Sequence, residues 1–433
     1  MNSKDNRVFY GWWVVAASAV GLFWSVPITV YSFTVFLKPV MQEFHVGRAA
    51  VSLAFTLALM VSALSTPLAG WLIGRYGARK VILPAMAMFG TILLCNKALA
   101  TSLWHFWFFY AGLGILVHGI GPLPYGNVVT HWFDRHRGLA LGLMMVGIGA
   151  GAIIMPSFAH SLIARHGWHS AYAILGSLVL VIPLPVVAAF LKEKPQDLGL
   201  LPDGATPALG AVPPHAGLLG LSRYQAWRTR TFWLLVCAFS LVSVSVQGCL
   251  VHMTAMFTDR GIAVQTAALG ASVVGAAVLI GRVGAGYLLD RFSGPHVAAL
   301  FFGGAAVGIG LLLVRSALSV AFLAAFLVGL GLGAEVDMIA YLVSRYFGLR
   351  SFAEIYSLVF GAFGLAGAFG PLLMGAAFDL TGSYHAPLAA FFPATLVAAV
   401  LMTRLGPYRY RAGQGNEREQ DLLVQAKDQP CTI

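Results

Sequence analysis

The chain has 433 residues, 59% of them hydrophobic and only 10% charged, with 49 glycines and a formal net charge of +11. A soluble globular protein carries charge on about a quarter of its residues, so this composition excludes that class and indicates a polytopic membrane protein. Apolar runs recur along almost the whole length, so membrane spans are the units to count.

A helix needs about 20 residues to cross the hydrocarbon core. On that measure the sequence predicts twelve spans, near 11–36, 50–73, 81–100, 104–128, 138–163, 170–191, 231–257, 265–289, 296–315, 318–343, 353–377 and 383–405. The first follows "MNSKDNRVFYGWW" without a small-residue cleavage site and reads as a retained helix, not a signal peptide. Only "ATSLWH" at 100–105 separates the third from the fourth. Between the sixth and seventh lies the one long polar stretch, 192–230, whose Pro, Gly and charge predict a flexible cytoplasmic linker. The expected organisation is a six-helix bundle over 1–191, the linker 192–230, a second six-helix bundle over 231–405 and a cytoplasmic tail, 406–433.

With both termini cytoplasmic, 20 of the 27 Lys and Arg residues fall inside and six outside, the bias expected of inside loops. The net charge is thus a topological signal, and the basic loops read as headgroup contacts, with no nucleic-acid surface. Cys95, Cys237 and Cys249 fall in spans and Cys431 in the tail, so no extracellular disulfide framework is expected.

The two halves look like copies. "GWLIGRYGARK" at 70 answers "GYLLDRFSGPH" at 286, and "THWF" at 130 answers "SRYF" at 344, offsets of 216 and 214. Paired six-helix repeats with a midplane site between them suit alternating access. Gly70, Leu72, Arg75, Gly77, Arg79 and Lys80 match a loop signature, G-x-L-x-D-R-x-G-R-R/K, and on it the chain resembles the major facilitator transporters. It departs from the signature at Gly74, where that family has Asp; the second copy keeps the acid as Asp290 before Arg291. These loop residues are the expected conformational motif. "FYGWWVV", "WFDRHRGLALGLMMVGIGAGAIIMP" and an arginine before "GAGYLLDR" are similar to the monocarboxylate transporter and oxalate:formate antiporter group. That resemblance implies that Arg282 binds a substrate carboxylate.

Of all the Lys, Arg, Asp and Glu residues, only Arg282, Glu335 and Asp337 fall well inside spans. An ionisable residue at a helix centre costs roughly 2.5–3.5 kcal/mol, so it faces a cavity and finds a partner. At about 1.5 Å per residue, Arg282 lies roughly 12 Å and Asp337 about 15 Å from the cytoplasmic ends of their helices. A guanidinium matches a carboxylate bidentately, whereas the competing reading is an arginine that only locks helices together. Glu335 and Asp337 are about 200° apart around a helix, so both are not expected to face the cavity. Asp337 is the first choice for a proton-coupling acid, to be paired with Arg282 in the unloaded carrier, and Glu335 and His118 follow.

Tyr31, Tyr125, Asn127, Gln247, His252 and Tyr341 are candidate cavity-lining groups for the substrate, each also readable as a satisfied packing group. The eleventh span holds no basic residue, so one fixed cation points to a monoanion. No cofactor or metal is expected, and no His/Asp/Glu cluster suggests a membrane enzyme. The resulting expectation is a monomeric, proton-coupled secondary active transporter of a small organic anion, a monocarboxylate, in a bacterial inner membrane. Proton-antiport efflux of drugs is the alternative carrier, which Arg282 disfavours for cations; a non-transporting receptor or channel is the alternative from another class.

Overall fold

The computed structural model describes residues 9–96, 101–204, 220–314 and 317–410. Among them the chain is helical, and its only extended pairing is an isolated bridge between Gly220 and Gly348. Helices α1 (Tyr10–Phe23) and α2 (Phe33–Phe44) form one pass with a π-helical turn, Pro27–Tyr31, between them. Pro27 lacks the N–H that would continue the ladder, which accounts for the break. Helices α3 (Arg48–Tyr76) and α4 (Ala78–Leu94) follow. α5 (Leu103–Val117) and α6 (Pro122–Trp132) share the next pass, interrupted where Gly119, Gly121 and Pro122 weaken the helix.

α7 (Arg137–Val181) runs into α8 (Pro183–Phe190) over a 54-residue apolar stretch. A straight helix of that length would span about 80 Å, far more than the roughly 30 Å hydrocarbon core. Gly167, with φ of +76°, turns it back and makes two passes of it. The second bundle follows the short α9 (Arg223–Trp227) and comprises α10 (Arg230–Asp259), α11 (Val264–Arg291), α12 (Gly294–Leu313), α13 (Leu318–Phe347), α14 (Phe352–Thr381) and α15 (His385–Thr403). Among the described residues ten stretches are long and apolar enough to cross a membrane; the turn at Gly167 divides one, and α4 supplies the twelfth crossing. The fold is an all-α membrane fold of twelve helices in two pseudo-symmetric six-helix bundles.

The bundles meet along two seams, α7 against α11 and α3 against α14. Three expectations change. The first pass continues to Phe44, beyond 36, and the tenth to Phe347, beyond 343. The polar stretch 192–230 is anchored at both described ends: Asp203 accepts from the backbone N–H groups of Asp134 (2.8 Å) and Arg135 (2.7 Å), and Leu221 N–H donates to the Phe347 carbonyl (2.8 Å). Its middle, and the tail from 411, lie outside the described residues. We call the end of the molecule carrying these anchors the linker end.

Candidate functional site

Glycines decide how close the charged helices come. A Cβ on Gly333 of α13 would collide with the backbone of Val278, and one on Gly281 of α11 would lie 2.5 Å from the Leu330 carbonyl oxygen. Backbone thus packs on backbone at this crossing, as small residues permit in membranes. Across the seam, a Cβ on Gly142 of α7 would lie 2.7 Å from the Arg282 carbonyl oxygen. Arg282 therefore sits where the bundles touch.

Arg282, Glu335 and Asp337 are 6%, 0% and 2% exposed. Arg282 Nε and Nη1 and all four carboxyl oxygens have no hydrogen-bond partner among the described residues. The expected Arg282–Asp337 pair is not formed among the described residues. The two acids do take opposite sides of α13. One turn before Asp337, Gly333 packs on α11; one turn before Glu335, Gly331 packs on Ala305 of α12. Nearby on the interface, Tyr356 of α14 is a buried ring beside Gly126 of α6. The Asp337 side of α13 is the one packed on α11, the helix that meets α7. This is the opposite placement that their spacing of two residues predicts.

His118 lies on the other seam. Its Nε2 is 2.8 Å from Ser62 Oγ and 2.9 Å from Thr66 Oγ1 of α3, and its ring stands edge-on to Phe360 of α14 at 6.1 Å.

The remaining candidates scatter. Tyr31 is 42% exposed in the π-turn, and Tyr125 is buried against Gly21 of α1 with its hydroxyl unpartnered. Gln247 packs half-buried near Gly367. His252 is committed: Nε2 donates to the Pro371 carbonyl (3.1 Å), leaving Nδ1 to accept from Tyr384 Oη (3.2 Å), a cross-link between α10 and α14. Asn127 lines a cavity of about 510 Å³ at the linker end, and Tyr341 stacks near Arg345 (5.2 Å). Neither hydrogen-bonds Arg282 Nε or Nη1, and each lies one to two turns nearer its helix end than the charged centre.

At the linker end the bundles are tied together. Asp290 of α11 accepts from the N–H groups of Gly138 (2.6 Å) and Leu139 (2.8 Å), the first turn of α7. A carboxylate there satisfies otherwise unpaired donors and the helix dipole together. Arg345 of α13 pairs with Asp134 (2.7 Å), and Arg137 donates to Ser344 Oγ (3.0 Å). Of the expected conformational motif, Gly70 and Asp290 reach across, Gly70 lying against Ser357 and Ala353 of α14. Arg75 stays on its own helix over Trp71 and Tyr76, Arg291 sits over Tyr287, and Arg79 donates to Ala188 (2.6 Å) beside the Gly77 turn. Asp134, Arg137 and Arg345 were missed as contact residues. The signal was present in "WFDRHRG" and "SRYF", the matched loops of the two halves.

The family model of the Major Facilitator Superfamily matches residues 13–353 and 251–430. The chain is 29% identical to human monocarboxylate transporter 11 over 407 residues, covering 87% of this chain and 79% of that one. It is 25% identical to bovine monocarboxylate transporter 13 over 426 residues, covering 96% and 95%. Among solved structures, the proton:xylose symporter XylE bound to 6-bromo-6-deoxy-D-glucose superposes with a TM-score of 0.71 at 14% identity, over 95% of this chain and 99% of that one. Twelve helices in duplicated bundles, a buried charged centre at their contact and a family match along nearly the whole chain make this protein a member of the major facilitator superfamily.

Proposed function

We propose that this transporter carries a small organic monoanion, a monocarboxylate, and couples its movement to protons. The observation that supports it most is Arg282: a 6% exposed guanidinium with Nε and Nη1 unpartnered, at the contact of the two bundles. A buried donor without a partner is costly, and a substrate carboxylate is the complement to it. The names of the similar proteins, monocarboxylate transporters 11 and 13, agree with that chemistry.

The proposed organisation is the bundles 1–191 and 231–405 joined by the 192–230 linker, acting as a monomer in the inner membrane with both termini cytoplasmic. The linker end is then the cytoplasmic end, and its ties among Asp290, Arg345, Asp134 and Arg137 hold the cytoplasmic side shut. Substrate enters from the opposite side, and its carboxylate takes the Arg282 guanidinium. Asp337, no longer offset by that charge, takes a proton; Glu335 is the reserve acid and His118 the relay candidate on the other seam. Opening then requires the linker-end ties to part, and release reverses the order. Efflux of cationic drugs fits poorly, because Arg282 would repel them.

Uptake of labelled monocarboxylates, dicarboxylates and aromatic acids into proteoliposomes, with and without an imposed pH gradient, tests this reading. A monocarboxylate should accumulate, and only with the gradient. Accumulation of dicarboxylates alone, or indifference to pH, would overturn it.

A further inference from the structure

The loop that ties the bundles at the linker end is itself gripped by the linker. Residues 133–136 join α6 to α7. Within them, Asp134 receives Arg345 of α13 at two acceptors: Nη1 reaches the carboxylate at 2.7 Å and Nη2 the backbone carbonyl at 2.5 Å. A guanidinium is a planar, rigid fork. Meeting a side-chain and a backbone oxygen of one residue together therefore requires the loop backbone in one orientation.

Three successive N–H groups of this loop converge on one linker carboxylate. Asp203 Oδ2 accepts from Asp134 (2.8 Å) and Arg135 (2.7 Å), and Oδ1 from His136 (3.4 Å), whose ring Nδ1 is 3.3 Å from the same oxygen. Successive N–H groups in a turn form a concavity for an anion, and here the chain fills it from its own linker. The Asp203 side chain is only 10% exposed. Charge agrees with this placement: the Arg345 and Arg137 guanidiniums share one Asp134 oxygen, at 2.7 and 3.3 Å, and Asp203 supplies the second carboxylate that balances them.

Backbone geometry is a second, independent observation. Asp203 has φ of +57°, and among the described residues His45 is the one other non-glycine with positive φ. Such a conformation persists where the surroundings over-determine it. Here the next residue, Gly204, lies so close to the Phe9 ring that a Cβ would be 3.0 Å from it, and Phe9 packs on Trp132 (5.8 Å) and Phe133 (5.6 Å), at the loop itself. The stretch leading to it is fastened to the same bundle: Trp132 Nε1 donates to the Lys192 carbonyl (2.9 Å), and Glu193 accepts from the Ala78 and Arg79 N–H groups (2.8 Å each). The matching loop of the second half, where Phe347 answers Phe133 at an offset of 214, is also met by the linker, through the backbone of Gly220 and Leu221. Only the first loop receives a carboxylate from it among the described residues.

We propose that Asp203 is a positioning residue for the linker-end gate. By bonding the N–H groups of residues 134–136 it holds the Asp134 carboxylate and carbonyl where the Arg345 fork meets both. The linker thereby sets how firmly that end stays shut, in addition to joining the bundles. Asp203 acts through Asp134, so its effect on the gate exists only while Arg345 is there to be met. The inference rests on the proposed parting of the linker-end ties and on no particular substrate.

The test is a double-mutant cycle on the purified full-length protein in nanodiscs, with spin labels at the exposed, matched positions Tyr76 and Phe292 reporting the ratio of linker-end-closed to linker-end-open molecules. Asp203→Gly removes the carboxylate and accepts the positive φ without strain. It should lower the closed-to-open ratio at least fivefold. In an Arg345→Gln background the same substitution should change the ratio less than twofold, because the contact it serves is already gone. A residue that only anchors the linker would lower the melting temperature without this dependence on Arg345. Should Asp203→Gly fail to fold, Asp203→Asn, which also tolerates the turn, carries the same cycle with a smaller shift of the same sign. An unchanged ratio in the folded variant, or equal shifts in the two backgrounds, would overturn the proposal. A single distance population in the wild type would instead overturn the gate itself, and uptake does not enter the readout, so the three failures are distinguishable.

Discussion

The two seams between the bundles hold matching positions in the pseudo-symmetric halves and differ in chemistry. Where α7 meets α11, glycines bring backbone against backbone, Asp290 caps the facing helix, and the packed helices α11 and α13 carry the buried Arg282, Glu335 and Asp337. Where α3 meets α14, the cap position is Gly74, and the midspan polar groups are His118 and the hydroxyls of Ser62 and Thr66, hydrogen-bonded to one another. The difference teaches that a duplicated scaffold can place charge on one seam and neutral hydrogen bonds on the other. The α7–α11 seam should then bear substrate and coupling, and the α3–α14 seam should hinge.

The largest expected effect breaks coupling on the charged seam. Asp337→Asn mimics the protonated acid, so the variant should still exchange labelled for unlabelled substrate but lose all pH-driven accumulation. Counterflow and gradient-driven uptake on one preparation show this; full accumulation in the variant would move the proton site to Glu335 or His118. Next is the cap. Hydrogen bonds to a charged group contribute about 1.5–3 kcal/mol, so Asp290→Asn should shift the balance away from the linker-end-closed state by roughly ten- to a hundredfold. Spin labels at the exposed His136 and Phe292 would report a longer distance population. An unchanged distribution would mean that the Arg345–Asp134 pair alone holds that end.

The smallest effect sharpens the contrast. His118→Gln removes neutral hydrogen bonds worth about 0.5–1.5 kcal/mol, so transport should slow by about tenfold or less with its pH coupling intact. Loss of coupling in this variant would transfer the proton function to the α3–α14 seam.

Much of this arrangement was legible in the sequence, because membrane spans announce themselves by length and apolarity and a buried charge is conspicuous among Val, Gly and Ala. The duplication, too, was visible in "GWLIGRYGARK" and "GYLLDRFSGPH". What the sequence hid depends on helix rotation and on contacts across 151 to 211 residues. Asn127 and Tyr341 looked like midplane groups and lie nearer the linker end; His252 looked available and is held by Tyr384 and Pro371. The absence of an Arg282–Asp337 bond was equally invisible, since it turns on side-chain direction at a helix crossing that the glycines set.

The central claim is that Arg282 holds the substrate carboxylate, and equilibrium binding of a labelled monocarboxylate to purified wild type, Arg282→Lys and Arg282→Gln tests it most directly. Removing one partner of a buried charge pair costs about 2–5 kcal/mol, so affinity should fall at least about thirtyfold in Arg282→Gln, and substantially in Arg282→Lys, with melting profiles that show both variants folded. Wild-type affinity in folded Arg282→Gln would contradict the account.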